Sequence, residues 1–236
     1  SKAIILLPAR NEEEALEEVI ERIPIKKISD LGFETRIIVV DGHSTDSTVE
    51  IAEKNGVEVI RQKGKTGKGN GVREALDLLL IEEERSESDL IIMLDADATY
   101  FPEQIPEFID HLDQNEVVWG SRIRGKIEKR AMSKINALGN RILSLFASVL
   151  YFSRTTDLCT GYWGFRMSTI EKLSLKANGF NLEADLFTSS VKLGLKRKEI
   201  ATDYAHRGGQ SSLRWYADGP RIFMMIISNR IKFSRD

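Results

Sequence analysis

The 236-residue sequence predicts an α/β fold, a mostly parallel sheet flanked by helices, on three observations. Short β-branched runs alternate with helical patterns through the first half, the signature of βαβ units. Apolar residues make up 42% of the chain, enough at this length to bury a substantial core and to exclude disorder as the dominant state. Three successive strands each end in a polar cluster on one sheet edge, where open α/β sheets bind ligands.

Each element has its own reason. Ala3 to Pro8 is apolar enough for a buried first strand. Asn11 is placed to cap a Glu-rich helix whose Ala15, Leu16, Val19, Ile20 and Ile23 share an inward face. Thr35 to Asp41 reads as strand two; Gly42 to Ser47 is a turn ending in a helix cap, and that helix runs to about Asn55. Val57 to Ile60 is a short third strand, followed by a Lys/Gly loop from Gln62 to Gly71 and a helix through Leu80. Leu90 to Asp95 is strand four, and Pro102 opens the next helix, whose first turn tolerates the missing N–H. Val117 to Arg122 is strand five. Beyond it the alternation loosens into a helical stretch from about Ala131 to Phe152, a Gly/aromatic segment Thr160 to Arg166, a helix near Leu182 to Leu193 and a basic C-terminal portion. No internal repeat or low-complexity linker divides the chain, so one domain over 1–236 is expected.

The net charge of −2 hides an asymmetry: residues 1–120 carry 13 basic and 27 acidic side chains, residues 121–236 carry 21 and 9. That partition suggests one face for a cation and another for anions. The single cysteine, Cys159, excludes a disulfide framework and a CxxC metal knot and reads as a small buried hydrophobe. The N-terminal residues carry no secretory signature, and runs such as Ile142 to Phe152 fall short of the roughly 20 residues a spanning helix needs. A soluble or peripheral protein is expected. The loop KGKTGKGNG does not satisfy G-x-x-x-x-G-K-[ST], which argues against an NTPase. Neither an RNP-type aromatic motif nor zinc spacing is present, so no nucleic-acid partner is expected.

Chemistry concentrates at the strand ends. LIIMLDAD places Asp95 and Asp97 two residues apart after a buried strand, a pair suited to a hard divalent cation whose shell a diphosphate completes. Asp pairs there also cap helices, so the spacing alone decides nothing. VVDGHSTDST ends strand two at Asp41, where a carboxylate accepts from a ribose or base; Ser44 and Asp46 read equally well as turn residues. PARNE closes strand one at the same edge.

Together these residues resemble the family 2 glycosyltransferases of GT-A fold, and within them the branch of dolichol-phosphate mannosyltransferases and polyprenyl-phosphate glycosyltransferases. The resemblance covers nearly the whole chain. PARNE matches the family's P-x-x-N-E, VVDGHSTDST its V-D-D-G-S-x-D-x-T with Gly42 for the second Asp, and DAD its metal motif. GKGNGVREAL is similar to the Lys/Gly segment before the third helix, GSR at Gly120 to Arg122 to the arginine after strand five, DLCTGYWGFR to D-x-x-S/T-G-F-R and HRGGQSSLR to R-x-x-G-x-S-K. The resemblance implies transfer of a hexose from a nucleoside diphosphate sugar with inversion, helped by Mg²⁺ or Mn²⁺. It implies a nucleotide-sugar-binding half over 1–120 and a basic acceptor-side half over 121–236.

Carried over by position, Pro8, Ala9, Arg10, Glu12, Val39, Asp41, Lys68, Asp95, Ala96 and Asp97 surround the nucleotide, and Asp95, Asp97 and Thr99 the metal. Arg122, Arg130, Ser133, Arg207 and Arg214 face the acceptor phosphate, with Asp97, Arg122 and Arg207 catalytic. The departures are Arg10 for a frequent Tyr, Thr99 for a frequent Gln ligand and Ser212 for the Lys of R-x-x-G-x-S-K, whose charge Arg214 is placed to supply.

Two acceptors stay open. A polyprenyl (dolichyl) phosphate is already anionic and needs no strong base. A sugar hydroxyl, in a family 2 enzyme that extends a glycan, needs a carboxylate, for which Asp157, Glu183 and Asp185 are candidates. A non-catalytic nucleotide-sugar binding module is the reading of another class. Ala131 to Phe152 and Arg221 to Arg235 resemble interfacial helices, which points to peripheral contact at the cytoplasmic membrane face.

Overall fold

The computed structural model describes residues 1–207 and 215–233, apart from the side chains at 215, 216, 232 and 233. Its strands are β1 Lys2–Ala9, β2 Glu34–Asp41, β3 Glu58–Arg61, β4 Leu90–Met93, β5 Val117–Ser121, β6 Trp163–Arg166 and β7 Arg197–Ala201. Its helices are α1 Leu16–Glu21, α2 Ile25–Asp30, α3 Thr48–Lys54, α4 Lys68–Leu80, α5 Ile105–Leu112, α6 Lys134–Tyr151, α7 Met167–Ile170, α8 Leu182–Lys192 and α9 Trp215–Phe233.

All seven strands form one sheet in the order β3-β2-β1-β4-β6-β5-β7. β1 occupies a central place because its run KAIILLPA is apolar on both faces. Ile4 and Leu6 join the core layer under α4, α6, α8 and α9, while Ala3, Ile5 and Leu7 join the layer that includes Leu16, Val19, Ile28 and Phe108. β1 pairs in parallel with β2, from Lys2↔Glu34 to Ala9↔Asp41, and with β4, from Ala3↔Leu90 to Leu6↔Met93. The carboxyl ends of these three strands therefore lie side by side, and the loops that follow them meet.

The α/β expectation holds, with differences that have physical causes. Asn11 does not cap a helix. It sits in the left-handed region (φ 55°), and its side-chain oxygen accepts from the Thr45 amide at 2.8 Å, so the first helix starts later, at Leu16. Lys68 to Gly71 belong to α4 rather than to a loop, because Gly69 lets the helix approach the chain: a Cβ there would lie 2.6 Å from the Ala177 carbonyl oxygen. The Gly/aromatic segment contributes β6, antiparallel to both β4 and β5. β7, within the basic portion, pairs in parallel with β5 at the sheet edge. α2 has one buried residue, Ile28, too little periodicity to announce a helix.

Candidate active site

The loops after β1, β2 and β4 enclose a cleft of about 210 Å³, closed by the start of α4, by Phe180 and by Arg207. Two of these loops are zipped together. The Asn11 amide donates to Ser44 Oγ at 3.0 Å and the Glu12 amide to Thr48 Oγ1 at 2.9 Å, while Glu13 accepts from the Ser47 amide at 3.0 Å. The hydroxyl-rich turn thus fixes PARNE in place, which explains residues that otherwise read as generic turn formers.

Cations of the protein bridge the cleft carboxylates. Arg207 donates from Nη2 to Glu12 Oε1 at 2.6 Å, and its Nη1 lies 3.0 Å from Asp97 Oδ2. Lys68 donates from Nζ to Asp95 Oδ1 at 2.5 Å and to Glu183 Oε1 at 2.6 Å. Burial pushes the Glu12 carboxyl up to about 7 against the pull of Arg207. Asp97 is raised by burial and then by the neighbouring Asp95 charge, and Glu183 is raised by burial against the pull of Lys68. Burial alone would lower the Lys68 ammonium, but Asp95 and Glu183 outweigh it and hold the group charged. Gly161 makes this packing possible: a Cβ there would lie 2.2 Å from Asp95 Oδ2.

Of the residues expected around a nucleotide, Pro8, Ala9, Arg10, Glu12, Lys68, Asp95, Ala96 and Asp97 line the cleft. Val39 and Asp41 do not. Strand alternation turns Val39 into the opposite core layer and presents Val40 and Gly42 instead, and Asp41 is buried beneath the turn, accepting from the Ser44 amide at 3.0 Å. Thr99, expected beside the metal, donates from both its hydroxyl and its amide to Asp97 Oδ1, at 2.5 and 3.1 Å, and so orients that carboxylate. Ala98, left-handed at φ 57°, makes the turn that brings Thr99 back.

The acceptor-side group divides. Among its described residues, only Arg207 reaches the cleft. Arg122 is buried, donating from Nε and Nη2 to the two Asp157 oxygens at 2.7 Å each and stacking over Tyr204, so it is committed to an ion pair rather than presented to a phosphate. Arg130 is exposed ahead of α6, and Ser133 is that helix's N-cap, accepting from the Asn136 amide at 3.1 Å. Arg214 lies outside the described residues. Cys159, half-buried as a residue, has its thiol pushed up to about 12 by burial.

Sequence reasoning missed Thr66, Gly67, Gly71, Phe180 and Gln62 in the cleft wall. Gln62 is the most telling. Its Nε2 donates to the Lys65 carbonyl, which only accepts, so the amide orientation is fixed and Oε1 faces Gly42 and Gly71, buried and without a partner. No motif flags it, because it follows a short strand with no periodic signal.

Among the described residues no trio of His, Cys, Asp and Glu gathers closely enough to hold an ion alone. The donor set nevertheless fits a hard cation bound jointly with a ligand. Asp95 and Asp97 supply oxygens two residues apart, and the Asp95 charge adds to burial in raising Asp97, a repulsion that a cation relieves.

The profile of Glycosyl transferase family 2 matches residues 4–174. Glycosyltransferase AglJ of Haloferax volcanii is 32% identical over 223 residues, spanning 93% of this chain and 69% of the relative. Dolichyl-phosphate hexose transferase of the same organism is 30% identical over 224 residues, spanning 94% and 91%. The fold superposes on glucosyl-3-phosphoglycerate synthase from Mycobacterium tuberculosis in complex with Mn²⁺, uridine diphosphate and phosphoglyceric acid, with a TM-score of 0.74, 19% identity and coverage of 97% and 78%. The strand-end cleft, the GT-A architecture and the length of these matches lead to one conclusion: the chain belongs to glycosyl transferase family 2 and is a glycosyltransferase.

Proposed function

We propose that the chain transfers a hexose, with inversion, from a nucleoside diphosphate sugar to a polyprenyl phosphate, as one GT-A domain working with Mg²⁺ or Mn²⁺ at the cytoplasmic membrane face. The observation that carries the choice of acceptor is the engagement of every carboxylate that a hydroxyl acceptor was expected to use. Asp157 is held by Arg122 and by Asn140 Nδ2 at 2.8 Å. Asp185 accepts the Lys176 and Ala177 amides at 2.5 and 2.8 Å and Asn229 Nδ2 at 2.8 Å, and Glu183 is bound to Lys68. A phosphate acceptor, anionic without help, needs none of them.

Asp97 and Asp95 would hold the cation, which when bound offsets charge on the departing diphosphate. The chain's own residues do the positioning. Lys68 lies against Asp95 where a diphosphate would enter, and the orphan Gln62 oxygen suits a nucleobase N–H. Arg207 stands between donor carboxylates and the acceptor side, where a guanidinium suits phosphate oxygens. Arg122 acts as a positioning residue, fixing Tyr204 and the Asp157 segment.

Membrane contact is supported by α6. Ile135, Leu138, Ile142, Leu145, Val149 and Phe152 are 57–89% exposed in one stripe beside the exposed Lys134 and Arg141. Among the described residues no helix is long and apolar enough to cross a membrane. A stripe of this kind lies in the headgroup region instead.

The test is nucleoside diphosphate release from a panel of GDP- and UDP-sugars, with each metal and with or without dolichyl phosphate. Release that requires both metal and lipid phosphate is expected. Release with a glycan hydroxyl and none with lipid phosphate would select the glycan-extending alternative, and tight nucleotide binding without any turnover the binding module.

A further inference from the structure

A second basin, sharing no lining residue with the cleft, lies where the segment after α6 crosses β5 and β7. It is an open basin of about 650 Å³ whose polar lining includes Arg124, Ser153, Arg154, Arg197, Lys198 and Glu199. Four cations thus face one carboxylate, and that carboxylate is already engaged. Glu199 Oε1 accepts from Trp119 Nε1 at 3.1 Å, Thr155 Oγ1 at 3.0 Å and the Thr156 amide at 2.7 Å, and Oε2 accepts from Thr156 Oγ1 at 3.0 Å. Its nearest cation is Arg124, 3.9 Å away.

Arg197 is the anomaly. It is half-buried, yet Nε and Nη2 donate only to Ser153 Oγ, at 3.3 Å each, and Nη1 only to the Leu195 carbonyl at 2.8 Å. Burial without a counter-charge lowers its affinity for the proton. Two ordinary explanations fall short. Charged residues protect edge strands, and β7 is an edge, which accounts for the exposed Lys198 but not for an arginine turned inward. The C-terminus of α6 carries a partial charge of about −0.5, which offsets a fraction of one cation and leaves the rest uncompensated.

We propose that this basin is an anion site for a phosphoryl group on a small polar body, distinct from the donor cleft and independent of how that cleft is read. Guanidinium forks from Arg154 and Arg197 suit phosphate oxygens, the Ser153 hydroxyl, which accepts from Arg197, keeps its proton to donate, and the volume is that of a small-molecule site. The phosphoryl group belongs either to a free sugar or glycerol phosphate or to an acidic lipid headgroup. The latter source is close at hand, because Arg154 follows Phe152 at the end of the exposed α6 stripe.

The test titrates the full chain calorimetrically with inorganic phosphate and glycerol 3-phosphate at physiological salt, and floats it with phosphatidylglycerol or phosphatidylcholine vesicles. Arg197→Gln is compared with the exposed pair Arg154→Gln/Lys198→Gln, which spares the packing and whose urea midpoint should match the parent. Saturable binding of a free phosphoryl compound, weakened at least tenfold in the exposed-pair variant, supports the site with a soluble ligand. Flotation with phosphatidylglycerol alone, weakened to the same degree, supports it with a headgroup. Absence of both, or binding weakened less than tenfold in the exposed-pair variant, overturns it.

Discussion

Asp97 was legible from its DAD motif taken together with the motifs at the neighbouring strand ends, but its partners were not. The sequence places it two residues after Asp95, whereas its orientation comes from Thr99 and its charge balance from Arg207, more than a hundred residues away. Asp97→Ala should lower diphosphate release by about 10²–10³-fold, the loss typical of removing one preorganised electrostatic group, and steady-state kinetics in Mn²⁺ would measure it. Full activity in that variant would remove Asp97 from the chemistry. Glu12 gives a prediction about stability. Its carboxyl is raised from 4.5 to about 7, so the folded chain holds a proton there that the unfolded chain has released. Below the lower value both states are protonated; between the two, stability falls as pH rises; above the upper value the loss is complete. The lowered carboxyls, Asp46, Glu82, Glu103 and Glu116, act below this window and with the opposite sign. Thermal melts in EDTA from pH 4 to 8 should therefore show a decline between about 4.5 and 7 that is shallower in Glu12→Gln. Parallel curves for the two proteins would count against this account of Glu12.

Elements whose sequence has a strong period were readable, and those shaped by distant contacts were not. β1, β2 and β4 are continuous apolar runs, and α6 repeats Leu143, Ala147 and Tyr151 inward while its apolar stripe stays exposed. β6 and β7 escape because WGFR is too short and glycine-rich, and RKEIA too charged, to resemble strands before β5 pairs with them. The segment after α6 is anchored by the Arg122–Asp157 pair, both members buried. Asp157→Asn should cost about 3–5 kcal/mol in urea unfolding, since Arg122 would then be buried without its counter-charge, and Arg122→Met added to it should recover part of the loss. The exposed stripe predicts a different outcome. Leu138→Asp/Leu145→Asp should leave the unfolding free energy in urea within about 0.5 kcal/mol of the parent, as surface changes do, while reducing flotation with anionic vesicles. Undiminished flotation would detach α6 from the membrane.

At the scale of the molecule the charge partition gains a structural meaning. The acidic half brings Glu12, Asp95 and Asp97 to one cleft, and the other half reaches across the sheet edge to meet them, with Arg207 on Glu12 and Asp97 and with Glu183 on Lys68. The segregation of charge was visible in the sequence; the crossing was not, because spacing carries no information about which loop of one half faces which strand end of the other. Glu183 is therefore better understood as a member of a bridge than as a base, and kinetics can separate the two. As a bridge it holds Lys68 beside Asp95, so Glu183→Gln should raise the donor KM several-fold and change kcat little. As a general base its loss would lower kcat by about 10²–10⁴-fold at an unchanged donor KM. Measured with a nucleoside diphosphate sugar and saturating lipid phosphate, the first pattern ties both halves of the chain to donor binding. The second would return proton abstraction to the mechanism and favour a hydroxyl acceptor.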